Sequence, residues 1–399
     1  MRIDEARYSN FLNEVAGDLD ISPVKYKDAV ERYQAVAKWL EGGDYPGSCD
    51  SGLDIYPQGS FRLGTVTRPI RNGIEADYDI DLVCEIPLLK EWAKPEYVKQ
   101  LVGDRLKEHD RYKRMLDEEG KRCWTLIYSE EDNVGFHLDV LPSVPYPKGY
   151  LNTAIAITNK FLSLYRWSIS DPKGYGLWFD GRNKPAFDLV YAEQKKFIQN
   201  RVPEIYAKIE DVPDQLVRTP LQRTIQIMKR HRDIKFNNAE RVDYAPISII
   251  ITTLSAYFYR NESDVYSALK NIVASLSAHV ALFEGRALEP TLESISPIKR
   301  TPDGKWYIGN PVNPEENFAD RWHEDNHARA EAFFMWLRCL QEDLVDILGK
   351  DNRNEVQRTL TSALGSVPVL GNLEQIVPPR EIESPPKIHI SRPRKPWRN

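Results

Sequence analysis

Hydrophobic and polar positions change period along this chain, and the changes divide it into regions. In ISPVKYKDAVERYQAVAKWLEGG, residues 21–43, apolar residues recur at helical spacing until Gly42-Gly43 stops them, so residues 1–45 read as helices. From about residue 54 the period shortens toward two. DIYPQGSFRLGTVTRP reads as strand, turn and helix start, and EADYDIDLVCEIP, KRCWTLIYSE and GFHLDVLPSVP read as further strands. A helix over PEYVKQLVGDRLKEHDRYKRML lies between them. Beyond about 150 the helical period dominates, in FDLVYAEQKKFIQNR, TPLQRTIQIMKRHRDIKF, YAPISIIITTLSAYFYR, YSALKNIVASLSAHVALFE and ARAEAFFMWLRCLQEDLVDIL. A short extended piece, KWYIGNPVNPEEN, interrupts these helices. The last segment holds Pro378-Pro379 and Pro385-Pro386 and ends in RPRKPWRN, the composition of an extended tail. The pattern predicts an α+β protein with N-terminal helices over 1–45, a mixed sheet lobe over 46–150, a helical lobe over 151–365 and a proline-rich tail over 366–399.

Composition narrows the function classes. The net charge of -5 lacks the basic surplus of a protein that wraps nucleic acid, so phosphate binding should be local and no stable nucleic-acid partner is expected. Cys49, Cys84, Cys123 and Cys339 show no metal-ligand spacing and read as free thiols of a reducing cytoplasm. No stretch approaches the roughly 18 apolar residues that would cross a membrane.

Three elements carry chemistry. Gln58-Gly59-Ser60 closes a strand and opens a helix, where free backbone N–H groups and the positive helix end can meet a phosphate. Alone, such a turn is most often only a turn. In Asp77-Tyr78-Asp79-Ile80-Asp81, residues two apart share one strand face, and crowded carboxylates there are costly unless cations sit between them. Hard oxygen donors select Mg²⁺ or Mn²⁺. The bland alternative, a solvated strand face, fits poorly with the apolar Leu82-Val83-Cys84 that follows. Asp139 is a lone acid in an apolar strand, where an unpaired carboxylate is expensive. In this order the three form the set that two-metal phosphoryl transfer needs. His323-Glu324-Asp325-Asn326-His327 fits the H-E-x-x-H zinc pattern, but its polar flanks and the lack of a nearby third ligand argue against a zinc helix.

QGSFRLGT, YDIDLV and HLDVLP together resemble the polymerase-β-type nucleotidyltransferases, and more narrowly the cGAS/DncV-like enzymes (CD-NTases) of bacterial anti-phage signalling. IQIMKRHRD, PISIIITT and NPVNPEENFADRW extend the resemblance over roughly residues 20 to 350. It implies a bilobed polymerase-β-like fold and two Mg²⁺ (or Mn²⁺) ions held by Asp79, Asp81 and Asp139. It further implies β- and γ-phosphates held at Gln58, Gly59 and Ser60, with Lys229 and Ser248 contacting the triphosphate. On the residues alone, Lys229 could equally belong to a solvated basic helix face. The implied activity joins nucleoside triphosphates, purines foremost, into a cyclic di- or trinucleotide signal in the cytoplasm, and it leaves a regulatory protein partner open. Trp178, Tyr244 and Tyr257 are candidates for base stacking. The alternatives are transfer to an RNA end or a protein, and a nucleotide-binding regulator with a dead site.

Overall fold

The computed structural model describes residues 3–46, 52–68, 70–71, 74–75, 77–128, 135–147, 152–237 and 241–376. Two helices open the chain. Asp4 caps α1 (Glu5–Asp18) by accepting from the Arg7 N–H, and Ser22 caps α2 (Pro23–Glu41), which has proline at its first position. Then follow β1 (Asp54–Gln58), the short α3 (Gly59–Leu63), a two-residue ladder of β2 (Ile70–Arg71) and β3 (Ile74–Glu75), and β4 (Tyr78–Glu85). After α4 (Pro95–Lys107) and α5 (Asp110–Met115) come β5 (Trp124–Tyr128), β6 (Phe136–Pro145), β7 (Ile155–Phe161) and β8 (Leu164–Ser170).

The main sheet runs β1-β4-β6-β7-β8, with β5 also paired to β6. Only β4 and β6 run parallel; the other pairs are antiparallel. Period-two alternation decides what each face carries. Ile80, Leu82, Leu138 and Val140 are buried against Val98, Val102 and Leu106 of α4 and Val36 and Leu40 of α2. The opposite face carries Val83, Leu141, Ile155 and Ile157 in a smaller apolar cluster, and the acidic positions of β4 lie on this side.

The helical lobe contains α6 (Pro172–Arg201), α7 (Pro220–Lys235), α8 (Ser248–Phe258), α9 (Val265–Ser277), α10 (Val280–Phe283) and α11 (Pro290–Ile295). A three-stranded sheet of β9 (Ile298–Arg300), β10 (Trp306–Asn310) and β11 (Asn313–Asn317) precedes α12 (Ala328–Leu340), α13 (Arg353–Leu364) and α14 (Ser366–Asn372). Helix α7 is the axis of this lobe: Leu221, Ile225, Ile227 and Met228 are fully buried, and α1, α8, α9 and α13 pack around it. The N-terminal helices divide between the cores. Tyr8, Phe11 and Leu12 of α1 belong to the helical core, whereas Tyr26, Val36 and Leu40 of α2 belong to the sheet core.

Several boundaries differ from the sequence reading. The sheet does not end near residue 150, because β7 and β8 extend it to Ser170. The helix expected over 187–201 is the second half of the 30-residue α6, whose first half was hidden by Gly174, Gly176, Gly181 and Pro185. The chain beyond 365 does not begin as an extended tail. Helix α14 packs on α1, and Val369, Leu373 and Ile376 are buried. The proline-rich remainder and Cys49 lie outside the described residues.

Candidate active site

Strand register brings the predicted acids together. Asp81 of β4 lies directly opposite Asp139 of β6, and Asp79 opposite His137. The same row continues sideways, with Gln58 of β1 opposite Asp81 and Thr125 of β5 opposite Asp139. Four strands thus present Gln58, Asp81, Asp139 and Thr125 in one line across the sheet. The Thr125 hydroxyl donates to Asp139 Oδ1 at 2.5 Å, fixing that carboxylate's rotamer. Asp77 accepts from the Gly135 N–H at 2.8 Å, and the His137 ring sits 3.6 Å from both Asp77 and Asp79.

The three carboxylates crowd one another, with the His137 ring beside Asp79 and Lys229 near Asp81. Burial, followed by the charges of Asp139 and Asp79, pushes the Asp81 carboxyl up to about 7, with Lys229 offsetting only part of the rise. A divalent cation among hard oxygen donors would remove that penalty.

The phosphate-loop candidates adjoin the acids. Gly59 has φ +63°, and a Cβ there would collide with Asp81 Oδ2, so both conformation and space require glycine. Ser60 occupies the first turn of α3, and the next glycine, Gly64, caps that helix in the left-handed region. Helix α7 grips the segment that follows. Gln222 donates to the Leu63 carbonyl at 2.8 Å, Gln226 to Val66 O at 2.9 Å and Arg230 to Arg68 O at 3.3 Å. Lys229 donates to Thr65 O and Oγ1 at 3.0 and 3.1 Å. It is 3% exposed, and burial drives its ammonium pKa down to about 7. Lys229 is therefore no part of a solvated basic face; it lies under the loop, near enough to Asp81 for mutual electrostatic influence. Ser248 opens α8, where its Oγ accepts from Arg232 at 3.4 Å, between Ile247 and Ile249 of the cavity wall.

Between the lobes lies a cavity of about 670 Å³, the size of a small-molecule site, into which Gln58, Gly59, Asp81 and Asp139 face. Its far wall comes from the helical lobe, chiefly from the NPVNPEENFADRW segment that the resemblance had picked out without assigning it to the site: Asn310, Glu315, Glu316, Asn317 and Asp320, with Tyr175 and Phe318 as its aromatic faces. Trp178, Tyr244 and Tyr257 are not in this wall. Trp178 and Tyr257 pack on each other with ring centroids 5.3 Å apart, and Tyr244 lies under Arg329. Glu316 ties the lobes together: it accepts from Asn310 Nδ2 at 2.8 Å and from Ser170 Oγ, at the end of β8, at 3.1 Å. The H-E-x-x-H stretch forms no zinc helix, because residues 323–327 are turns and His327 has φ +68°.

Residues 54–142 match the family model described as "Cyclic GMP-AMP synthase DncV-like, nucleotidyltransferase domain". A protein of Roseivirga ehrenbergii named c-di-GMP synthase is 29% identical over 367 residues, 91% of this chain and 85% of that one. The cyclic dinucleotide synthase CdnG of Bradyrhizobium diazoefficiens is 26% identical over 324 residues, 78% of this chain and 70% of its own length. Its structure in complex with GTP superposes with a TM-score of 0.65 at 23% identity, covering 92% of this chain and 98% of that one. An Escherichia coli CdnC, solved as a CdnC:HORMA-deltaN complex, shares the fold with a TM-score of 0.58 at 17% identity, covering 92% and 98% of the two chains. The resemblance to cGAS/DncV-like enzymes expected from the motifs is borne out, as is the bilobed fold, and the chain is a nucleotidyltransferase.

Proposed function

We propose that this enzyme condenses two or three nucleoside triphosphates into a cyclic oligonucleotide with release of pyrophosphate, as a signal in anti-phage defence. One observation carries the chemistry: Asp81 and Asp139 oppose each other in register, beside a glycine that allows backbone to approach Asp81, at one wall of an inter-lobe cavity. Asp79, Asp81 and Asp139 would hold two divalent cations, which when bound acidify the acceptor hydroxyl and stabilise the departing pyrophosphate. The chain's own groups do the rest. Thr125 holds Asp139 oriented toward the acceptor side. The backbone at Gly59 and Ser60 would receive the β- and γ-phosphates, with the Lys229 ammonium beneath them and Ser248 at the edge. Ring closure requires the linear intermediate to turn and present its other end.

The wall opposite the acids favours guanine. It presents the carboxylates of Glu315 and Asp320, both acceptors when ionised. Guanine's Watson–Crick edge offers two adjacent donors, N1–H and N2–H, that a carboxylate can take together, whereas adenine's edge offers one. The Roseivirga relative, a c-di-GMP synthase by name, points the same way. A regulatory protein partner is part of this reading, since the CdnC relative was solved with one. Incubation with all four triphosphates and Mg²⁺ or Mn²⁺, followed by mass identification of the product, tests the proposal. A cyclic product containing guanine is expected. Label transferred to an RNA end or to a protein would instead establish the alternative.

A further inference from the structure

The nucleotide cleft sets six carboxylates, those of Asp81, Asp139, Asp171, Glu315, Glu316 and Asp320, against two cations, Arg62 and Arg122. Arg62 is committed, because its guanidinium makes a two-pronged pair with Asp180 of α6 at 3.2 and 2.5 Å. Arg122 is exposed and makes no hydrogen bond or ion pair among the described residues. Glu316 feels its charge, yet both oxygens of that carboxylate are already taken, by Ser170 and Asn310. A guanidinium carries five N–H groups in a planar fork matched to phosphate oxygens. In this cleft the fork of Arg122 is unused.

The place of Arg122 along the sheet restricts which anion it meets. The row of Gln58, Asp81, Asp139 and Thr125 has two ends. The turn at Gly59 and Ser60, which would take the phosphates of the donor nucleotide, lies at the β1 end. Arg122 lies at the other, three residues before Thr125 and past Asp139, the acid on the acceptor side. There the floor of the cleft continues along the β7–β8 hairpin. Ile157 and Ser168 pair across that hairpin and line the cleft, and the next pair on the same face is Asn159 and Arg166. Arg166 is also exposed and without a hydrogen bond or ion pair among the described residues. A basic path thus leads outward from the acceptor side of Asp139.

In the reaction proposed above both substrates are triphosphates, but only the donor nucleotide loses its pyrophosphate. The acceptor keeps its own 5′-triphosphate, whose charge is repelled by a wall of carboxylates unless a cation meets it. Resting on that reading, we propose that Arg122 binds the 5′-triphosphate of the acceptor nucleotide, with Arg166 continuing the path at the rim. Arg122 is then a specificity residue. It favours a free nucleoside triphosphate over an RNA 3′ end, whose last nucleotide carries only a singly charged diester at its 5′ oxygen. In the joining step the acceptor hydroxyl oxygen bonds the α-phosphorus of the donor nucleotide, the bond to pyrophosphate breaks, and the hydroxyl proton passes finally to solvent.

A donor nucleotide that cannot accept isolates this step. The 2′,3′-dideoxynucleoside triphosphate of a base found in the product, labelled at its α-phosphate, is offered with either the ribonucleoside triphosphate or the bare ribonucleoside as acceptor. The joined product has no hydroxyl at its dideoxy end and cannot close. The kcat/KM for each acceptor is measured in wild type, R122Q and R122K. In R122Q the ratio of triphosphate to nucleoside should fall about tenfold, equivalent to about 1.4 kcal/mol, while the nucleoside is joined as well as by wild type. R122K should lie between, since it keeps the charge and loses the fork. Because Arg122 is exposed and unpaired, the thermal midpoint should not move in either variant. A ratio unchanged in R122Q overturns the proposal, and so does an equal fall for both acceptors, which would make Arg122 only a structural companion of Glu316. A wild type that joins no nucleotides at all, natural or dideoxy, sinks the nucleotidyl-transfer reading as well; one that joins both acceptors with a ratio indifferent to R122Q leaves that reading standing and removes Arg122 alone.

Discussion

Two regions of this molecule bury charge in opposite ways. On the sheet, Asp79, Asp81 and Asp139 crowd together, and Asp81 is held far above the usual carboxylate range. At the junction of the lobes, buried carboxylates instead meet their complements. Asp20, between α1 and α2, accepts from Arg218 at 3.2 Å, Arg223 at 2.6 Å and Gln226 at 2.7 Å. His231 meets Asp343 and the Trp336 indole, and Arg230 meets the Leu364 carbonyl. Burial would raise the Asp20 carboxyl, but Arg223, Arg218 and their hydrogen bonds outweigh it, and its pKa is lowered. A satisfied cluster holds the fold together, whereas a frustrated one is kept for a ligand that arrives from outside.

Substitutions can break this contrast, and the largest effect belongs to the frustrated cluster. Asp81→Asn or Asp139→Asn should reduce product formation from labelled triphosphates at least about a thousand-fold, or roughly 4 kcal/mol of transition-state stabilisation. The thermal midpoint should stay or rise, because repulsion is relieved. A large fall in midpoint would show that these acids are structural after all. The reverse pattern is expected of Asp20→Ala. Leaving Arg218 and Arg223 buried without their anion should cost about 3–5 kcal/mol in urea unfolding.

Acid sharpens the same point. Because the folded-state pKa of Asp20 is depressed, its contribution to stability is complete above the ordinary carboxylate pKa and is lost as pH falls through the folded value. Unfolding free energy measured downward from about pH 6 should therefore fall more steeply in the wild type than in Asp20→Asn.

Lys229 stands between the two regions, bonded to Thr65 yet close to Asp81. Lys229→Met should lower kcat/KM for the triphosphate by about 1.5–3 kcal/mol. An unchanged kcat/KM would assign the lysine to the lobe junction alone. Smallest of all, Thr125→Val should cost about 0.5–1.5 kcal/mol in kcat/KM, the worth of one hydrogen bond that orients Asp139.

The acids were legible in the sequence because strand alternation is local: Asp79 and Asp81 share a face whatever β4 pairs with. That Asp139 joins them followed from the motif order and the resemblance, since register between strands about sixty residues apart leaves no local trace. Thr125 escaped for that reason; it acts only through its place opposite Asp139. The NPVNPEENFADRW segment was noticed, but that it faces the acids escaped, because Ser170 and Glu316, 146 positions apart, meet only once both lobes are folded. The stacking aromatics were misplaced because helical periodicity says which face a ring occupies, not which cavity that face will border. Helix α14 was missed where a proline-rich composition downstream coloured the reading of the residues before it.

The row of bonds from α7 to residues 63–68 has a mechanical meaning. Gln222, Gln226, Lys229 and Arg230 fasten a helix of one lobe to the backbone of the other beside the phosphate turn. A swing of one lobe against the other would have to tear these fastenings in sequence, so the crevice works as a fixed jaw with its hinge welded.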